Sequence, residues 1–414
     1  MTTPSSPRPH APRSTAASSD GSGTPPCAHF GAAVLALATG GFAIGTTEFV
    51  SMGLLPQIAH GVHESIPTTG HAISAYALGV VIGAPVLAYF GARLPRRGLL
   101  IALMVAFVVG NAASALASSY GLLLIARFFS GVPHGAYFGV ASLVAASLAA
   151  PGRKGRAVAL VMLGLSVANV FGVPAGTWLG QDLSWRAAYV LVAALGLLTI
   201  VLVRAFIPAM PADRHATGRR ELGLFAEPQV WLTLLIGAVG FGGMFAVYTY
   251  IAPTVTRVGG LSESVVPVFT LSFGLGMVFG TWVAGELADW SIMRSLAIGS
   301  AGMGLVLLVF WAVAPYGWWA LPVTFAITTL GSVLVVNLQL RLMHVAGEAQ
   351  TLGAALNHAS LNIANALGAW LGGIVVSASG GYRDPALVGV GLSVAGLLVL
   401  LASALLHLRR AVAA

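Results

Sequence analysis

Residues 207–228 read Ile207-Pro208-Ala209-Met210-Pro211-Ala212-Asp213-Arg214-His215-Ala216-Thr217-Gly218-Arg219-Arg220-Glu221-Leu222-Gly223-Leu224-Phe225-Ala226-Glu227-Pro228, a long polar stretch between two apolar regions. On each side lie six apolar runs of roughly 20 residues, each long enough to cross a hydrocarbon core about 30 Å thick as a helix. The runs before it cover 31–54, 70–90, 98–117, 120–148, 157–179 and 187–206. Those after it cover 229–252, 265–287, 295–314, 317–340, 352–377 and 385–407. A linker between equal sets of spans is the layout of an internal duplication. A shift of 197 residues supports it, placing Arg97 on Arg294, Phe90 on Leu287 and the start of run 5 on that of run 11.

The basic residues set the orientation. One set of alternate gaps, with the C-terminal end, holds Arg93, Arg96, Arg97, Arg153, Lys154, Arg156, Arg204, Arg214, Arg219, Arg220, Arg294, Arg341, Arg409 and Arg410. The other set holds only Arg186, Arg257 and Arg383. By the positive-inside rule both termini are expected in the cytoplasm. Composition agrees, with 57% hydrophobic and 8% charged residues, where a soluble domain is about one quarter charged. The net charge of +8 is accounted for by these short loops, so no nucleic-acid partner is expected. Residues 1–29, rich in Ser, Pro and Thr, read as a disordered cytoplasmic tail. A secretory signal is not expected there, since the first apolar run starts late and is long enough to span. The only cysteine, Cys27, allows no intrachain disulfide. The expected organisation is a bundle over 30–206, a cytoplasmic linker over 207–228, a second bundle over 229–408 and a short tail over 409–414.

Small residues recur at four-residue spacing in four runs: Gly164, Ala168, Gly172, Gly176 and Gly180 in run 5, Gly276, Gly280 and Ala284 in run 8, Ala75, Gly79 and Gly83 in run 2, and Ala364, Gly368 and Gly372 in run 11. Such a ridge lets a neighbouring backbone approach closely. It serves either static packing or the seam between the halves, and the pseudo-symmetric placement favours the seam. Gly172 and Pro174 also predict a bend in run 5.

Polar side chains inside spans cost a few kcal/mol each, about 2.5–3.5 for a charge on insertion scales, which makes them candidates for function. Glu48 lies in the outer half of run 1 and is either a proton carrier or a hydrogen-bond acceptor near a helix end. Arg127 in run 4 needs an acceptor, and Glu48 is the outer-half carboxylate of the same half; the plainer reading gives it backbone carbonyls. His134 shares the face of Arg127 and either relays protons or packs beside Pro133. In run 11, His358, Asn362 and Asn365 fall in a narrow arc with Asn357 on its flank, a polar stripe that must face protein or water. Asn337 and Gln339 in run 10, with Tyr248 and Tyr250 in run 7, are further candidates to line a cavity. No His/Cys/Asp/Glu cluster has metal-ligand spacing. The only lysine, Lys154 in Gly152-Arg153-Lys154-Gly155, does not fit a phosphate-binding loop, so no cofactor is expected and any pumping must draw on an ion gradient or on a partner.

Several stretches resemble the major facilitator superfamily, in its twelve-span drug:proton antiporter group, near the arabinose-efflux-permease and chloramphenicol-resistance-like branch. They are Gly41-Phe42-Ala43-Ile44-Gly45-Thr46-Thr47-Glu48-Phe49-Val50, Ala75-Tyr76-Ala77-Leu78-Gly79, Arg127-Phe128-Phe129-Ser130-Gly131 with Val132-Pro133-His134-Gly135, and Gly172-Val173-Pro174-Ala175-Gly176-Thr177-Trp178-Leu179-Gly180. The resemblance covers about 30–405. One departure lies after run 2, where the usual GxLADRxGRR is Ala88-Tyr89-Phe90-Gly91-Ala92-Arg93-Leu94-Pro95-Arg96-Arg97, with Ala92 in place of the gate acid. The second half keeps it as Asp289, followed by Arg294, so Asp289 is either a lone latch or a solvated charge.

The expected fold is an all-α membrane protein of twelve transmembrane helices in two pseudo-symmetric six-helix bundles. The resemblance implies a monomeric, non-enzymatic transporter in the plasma membrane, exporting a small organic compound in exchange for protons. A proton-coupled importer or facilitator is the nearest alternative, and a non-transporting receptor or scaffold is the other.

Overall fold

The computed structural model describes residues 30–91, 94–150, 153–210, 226–345, 350–379 and 381–413. Arg93 with Ala92, the tail over 1–29 including Cys27, and residues 211–225 of the linker lie outside the described residues. The first half contains α1 (Phe30–Gly53), the short α2 (Leu55–Gly61), α3 (Ile66–Gly91), α4 (Arg96–Leu116), α5 (Tyr120–Leu148), α6 (Lys154–Val167), α7 (Val173–Asp182) and α8 (Trp185–Phe206). The second contains α9 (Pro228–Leu235), α10 (Gly242–Thr249), α11 (Val266–Trp290), α12 (Ile292–Val313), α13 (Ala320–Val345), α14 (Gln350–Ser379) and α15 (Pro385–Ala413).

Among the described residues, ten helical segments are long and apolar enough to cross a membrane. One of them, Ile292–Val345, is two helices turned back on each other at Ala314–Trp319, where Gly317 takes a φ of 59° that a side chain would disfavour. α5, 29 residues long, is a further rod of spanning length, diluted in hydropathy by its own Arg127 and His134. Among the described residues this makes twelve rods, consistent with the twelve apolar runs and numbered like them in chain order. The last continues to Ala413, past the end expected at 407.

Rod 5 bends as its sequence predicts. The π segment Ala168–Gly172 separates α6 from α7, immediately before Pro174, whose missing N–H breaks the regular ladder. Rod 7 is interrupted likewise at Ile236–Gly240. The rods show the mark of lipid exposure, with Leu116 81%, Trp319 71% and Phe171 65% exposed, patches that a water-soluble surface avoids.

The glycine ridges correct one expectation. Gly79 and Gly83 of α3 lie against the backbone of Phe128 and Val132 in α5, and Gly172 and Gly176 of rod 5 lie against Thr46 and Val50 in α1. In the second half Gly276 and Gly280 of α11 meet Phe325 and Thr329 in α13, and Gly368 and Gly372 of α14 meet Gly242, Ala246 and Tyr250. Rods 2–4 and 5–1 thus repeat as rods 8–10 and 11–7, the pairing that a duplication requires. The ridges serve packing within each half. The seam is made by other faces of the same helices, α3 on α14 and α11 on α7 and the π segment of rod 5. A side chain at Gly83 would overlap the Val132 carbonyl, which is backbone and cannot turn aside. Gly83→Val should therefore destabilise the bundle by about 1–3 kcal/mol or more. Gly139→Val, with nothing within 4 Å of its added carbon, should be near neutral. Equal melting of the two variants in detergent would contradict this packing.

The end of the bundle that carries the α1–α2 and α7–α8 connections, away from both termini, is sealed. One apolar core there joins second-half residues to Phe49, Met52, Leu55, Ala59, Ile66, Ile73 and Val173 of the first half. Elsewhere the first half keeps clusters of its own. Among the described residues, three hydrogen bonds cross the seam: Gln57 Nε2 to Glu263 Oε2 (2.9 Å), Gln181 Nε2 to the Glu263 carbonyl (3.0 Å) and Ser74 Oγ to the Ala366 carbonyl (3.0 Å).

Candidate substrate and proton site

Arg127 is among the largest fully buried side chains, with no accessible surface. Its Nη1 donates to Thr47 Oγ1 (3.0 Å) and its Nη2 to the Thr47 carbonyl (3.1 Å). Thr47 in turn donates to Asn111 Oδ1 at 2.5 Å, and Asn111 is anchored on the Phe107 carbonyl. The guanidinium carbon lies 4.4 Å from the Tyr76 ring centre and 5.3 Å from that of Tyr189. Tyr189 is tied back to α1 through Ser51 (2.8 Å). The arginine is thus solvated by rings, a hydroxyl and a carbonyl, which suit its delocalised charge.

Arg127 bonds the Thr47 hydroxyl and the Thr47 backbone carbonyl, and its hydrogen bonds do not go to the Glu48 carboxylate. Successive residues of a helix project about 100° apart, so a guanidinium approaching α1 from the Thr47 side passes Glu48 laterally. Glu48, 7% exposed, has the Asn365 side chain of α14 near it across the seam, but the Asn365 amide atoms make no hydrogen bond among the described residues.

The stripe on α14 predicted from its spacing faces the first half. His358 stacks on Phe138 of α5, centres 5.9 Å apart and planes at 6°. Phe138 makes an edge contact with His134, 5.4 Å away, and His134 Nδ1 meets the Tyr76 hydroxyl at 3.0 Å. Asn362 Nδ2 donates to the His358 carbonyl. What remains is a set of buried polar atoms without protein partners: both amide atoms of Asn357 and Asn365, and Oδ1 of Asn362. An unsatisfied buried polar group costs about 1–3 kcal/mol, so a cluster calls for a water or solute to complete it. Asn169 Oδ1 in the π segment and the Tyr248 hydroxyl are orphaned as well.

Two cavity candidates prove to be internal ties of the second half. Tyr250 donates to the Ala369 carbonyl (2.9 Å). Asn337 donates to the Val333 carbonyl (2.9 Å) and, at 3.5 Å, to that of Ala284. Gln339 is half-buried. Side-chain polarity in a span shows that a partner exists, not whether it is protein or solute. Tyr248 lies at the seam, stacked on Phe273 with centres 3.5 Å apart.

The gate motifs are spread out. Asp289 is exposed and makes no ion pair among the described residues; Arg294 lies over Trp290 (4.9 Å). Arg97 donates to the Ile207 carbonyl (3.2 Å), and Arg96 is half-buried. Gly172, Pro174 and Gly176 shape rod 5 against α1. The sequence reading missed Tyr76, Tyr189, Asn169 and Phe49. Only Asn169 carried a local signal, an amide three residues before Gly172 and five before Pro174.

The pseudo-symmetry exposes a division of chemistry. Gly176 rests on Val50 and Gly372 on Tyr250, so counting back two residues from each contact sets Tyr248 in the second half opposite Glu48 in the first. Charge occupies one half of the site and an aromatic phenol the other.

Comparison with known proteins gives a consistent picture. The profile described as "Major Facilitator Superfamily" matches residues 37–356. The chain is 40% identical over 372 residues to "Inner membrane transport protein YdhP" of Escherichia coli O157:H7, covering 89% of this chain and 94% of that protein. It is 34% identical over 336 residues to "Chloramphenicol resistance protein" of Streptomyces lividans, covering 79% and 84%. In fold it is similar to the crystal structure of a D-xylose-proton symporter, with a TM-score of 0.73 at 17% identity over 90% of this chain and 97% of that one.

Proposed function

The chain belongs to the Major Facilitator Superfamily, and on that premise we propose that it exports a small, uncharged organic compound across the plasma membrane in exchange for protons. As a member it is a multi-pass membrane transporter and not an enzyme. The observation that carries the finer reading is the meeting of Glu48 with orphaned amides at the seam. Amides donate and accept equally, so they suit hydroxyl, carbonyl and amide groups of a neutral solute. The one carboxylate of the site is flanked by the one guanidinium, which leaves little net field to select an ion. Glu48 carries the proton, Arg127 biases its charge state, and Asn357, Asn362 and Asn365 bind the solute. The halves over 30–206 and 229–408 rock about the site with 207–228 as their tether. Export, as against import, is supported by the name of the Streptomyces relative.

The test is addition of solute to everted vesicles holding an inside-acid gradient, across neutral sugars, nucleosides, neutral drugs and cationic drugs. A neutral compound should dissipate the gradient only in vesicles containing the protein. Dissipation by cations alone, or by nothing, would remove this reading. Orientation has its own test in a Cys27→Ser background. Arg153 and Glu64 are both exposed, at opposite ends of the bundle. A membrane-impermeant maleimide applied to intact cells should label Glu64→Cys and spare Arg153→Cys; the reverse would place the termini outside.

A further inference from the structure

Phe49 follows Glu48 directly and has no part in the proton site, yet its ring is 4% exposed and sits in the opposite half. It lies 6.2 Å from Phe245 with planes at 7°, 5.8 Å from Phe273 at 50°, and 6.0 Å from Tyr248 at 67°. Tyr248 and Phe273 are stacked on each other, and Phe245 is braced edge-on by Phe241 at 5.3 Å. The seat is therefore pre-built within α10 and α11, and one ring from α1 fills it. Beyond Phe49 toward the sealed end come Met52, Leu55 and Ala59 of the same apolar core. Phe49 is the first apolar contact past the Glu48–Asn365 meeting, with polar chemistry on one side and the seal on the other.

We propose that Phe49 is the plug of the gate at the end remote from the termini, that Phe245, Tyr248 and Phe273 are its seat, and that withdrawal of this ring is the step that opens the protein outward. The proposal rests on the transport reading, because only a protein that alternates access must break this seal. Glu48 and Phe49 are consecutive on one helix and project to different second-half partners, α14 for Glu48 and α10 with α11 for Phe49. A helix moves as a rigid rod, so α1 cannot change its stance toward Asn365 without moving the plug in its seat. The exposed bonds at Glu263 compete with water and hold less than rings buried against one another.

The experiment reads gate opening directly. Met52 is fully buried one turn beyond Phe49, so Met52→Cys in a Cys27→Ser background reports exposure from that end. Labelling by an impermeant maleimide is followed in intact cells, with no substrate added and pH held constant. Phe49→Ala should raise the labelling rate at least about tenfold, equivalent to about 1.4 kcal/mol in the gate equilibrium. Phe49→Leu, which keeps an apolar plug, should raise it by less, and Phe273→Ala should match Phe49→Ala. The double variant should react no faster than the quicker single one, since both remove the same contact. Rates within twofold of the parent for both alanine variants, or additive effects in the double variant, would overturn the proposal. Phe49→Leu keeps the test decisive should Phe49→Ala fail to accumulate. No proton or solute gradient enters the readout, so failure of the gate is distinguishable from failure of proton-coupled export.

Discussion

Glu48→Gln is expected to abolish transport driven by a pH gradient, a loss on the order of 100-fold or more, the scale at which removing a proton-transferring group acts. The substitution keeps side-chain length and the ability to meet Asn365, and it mimics the protonated acid. If proton and solute compete for the site, wild-type affinity should rise with pH, whereas the variant should stay at the low-pH affinity of the wild type with no pH dependence. Equilibrium binding across pH and solute-driven proton release measure the two halves of this statement. Retained pH-driven transport would remove Glu48 as the carrier and direct attention to His358 and His134, which face each other around Phe138.

Arg127→Lys is the second large effect, and it bears on stability as well as transport. The guanidinium spends two donors on Thr47 while lying over Tyr76 and Tyr189. An ammonium is a compact, strongly hydrated point charge that cannot hold this fork and both ring faces at once. Stripping the partners from a buried charge costs about 3–5 kcal/mol, and the variant should melt well below the wild type. Since Glu48 also loses a fixed counter-charge, coupling should fail in whatever fraction folds. Arg341→Lys is the control. Arg341 is buried too, bonded to Gln229 (3.0 Å) with Ser403 in the same cluster, but in the second half and away from Glu48. It should lose stability without altering the pH dependence of binding. If Arg127→Lys melts and transports normally, the cage around Arg127 is only packing.

The asymmetry between the halves gives these predictions a common basis. The duplication is retained in rod pairing, yet the two sides of the site have diverged, with Glu48 and, behind it within the first half, Arg127 on one side and Tyr248, Phe245 and Phe273 on the other. A charge is costly to bury and is most useful where its state changes during the cycle. An aromatic box stores contact energy without titrating. Separating the two lets proton binding and gate opening act on neighbouring residues of one helix.

Span number, the duplication and the bend of rod 5 were legible in the amino-acid order, because lipid leaves a backbone few options: each apolar run of that length must close its own hydrogen bonds as a helix. The stripe on α14 was legible for the same reason, since amides at helical spacing in hydrocarbon need a common partner. Which partner each polar side chain finds was decided by tertiary structure. Asn337 and Tyr250 look in sequence like Asn357 and Tyr248, yet the Asn337 Nδ2 and the Tyr250 hydroxyl are bonded within their own half, whereas both amide atoms of Asn357 and the Tyr248 hydroxyl find no protein partner among the described residues. The glycine ridges show the same limit: four-residue spacing reports that a backbone comes close, not whose. Phe49 is the sharpest case, an apolar residue in an apolar run with nothing local to mark it. Its role exists only because α10 and α11 bring three rings to one point across the seam, contacts between residues 196 to 224 positions apart that no periodicity along the chain encodes.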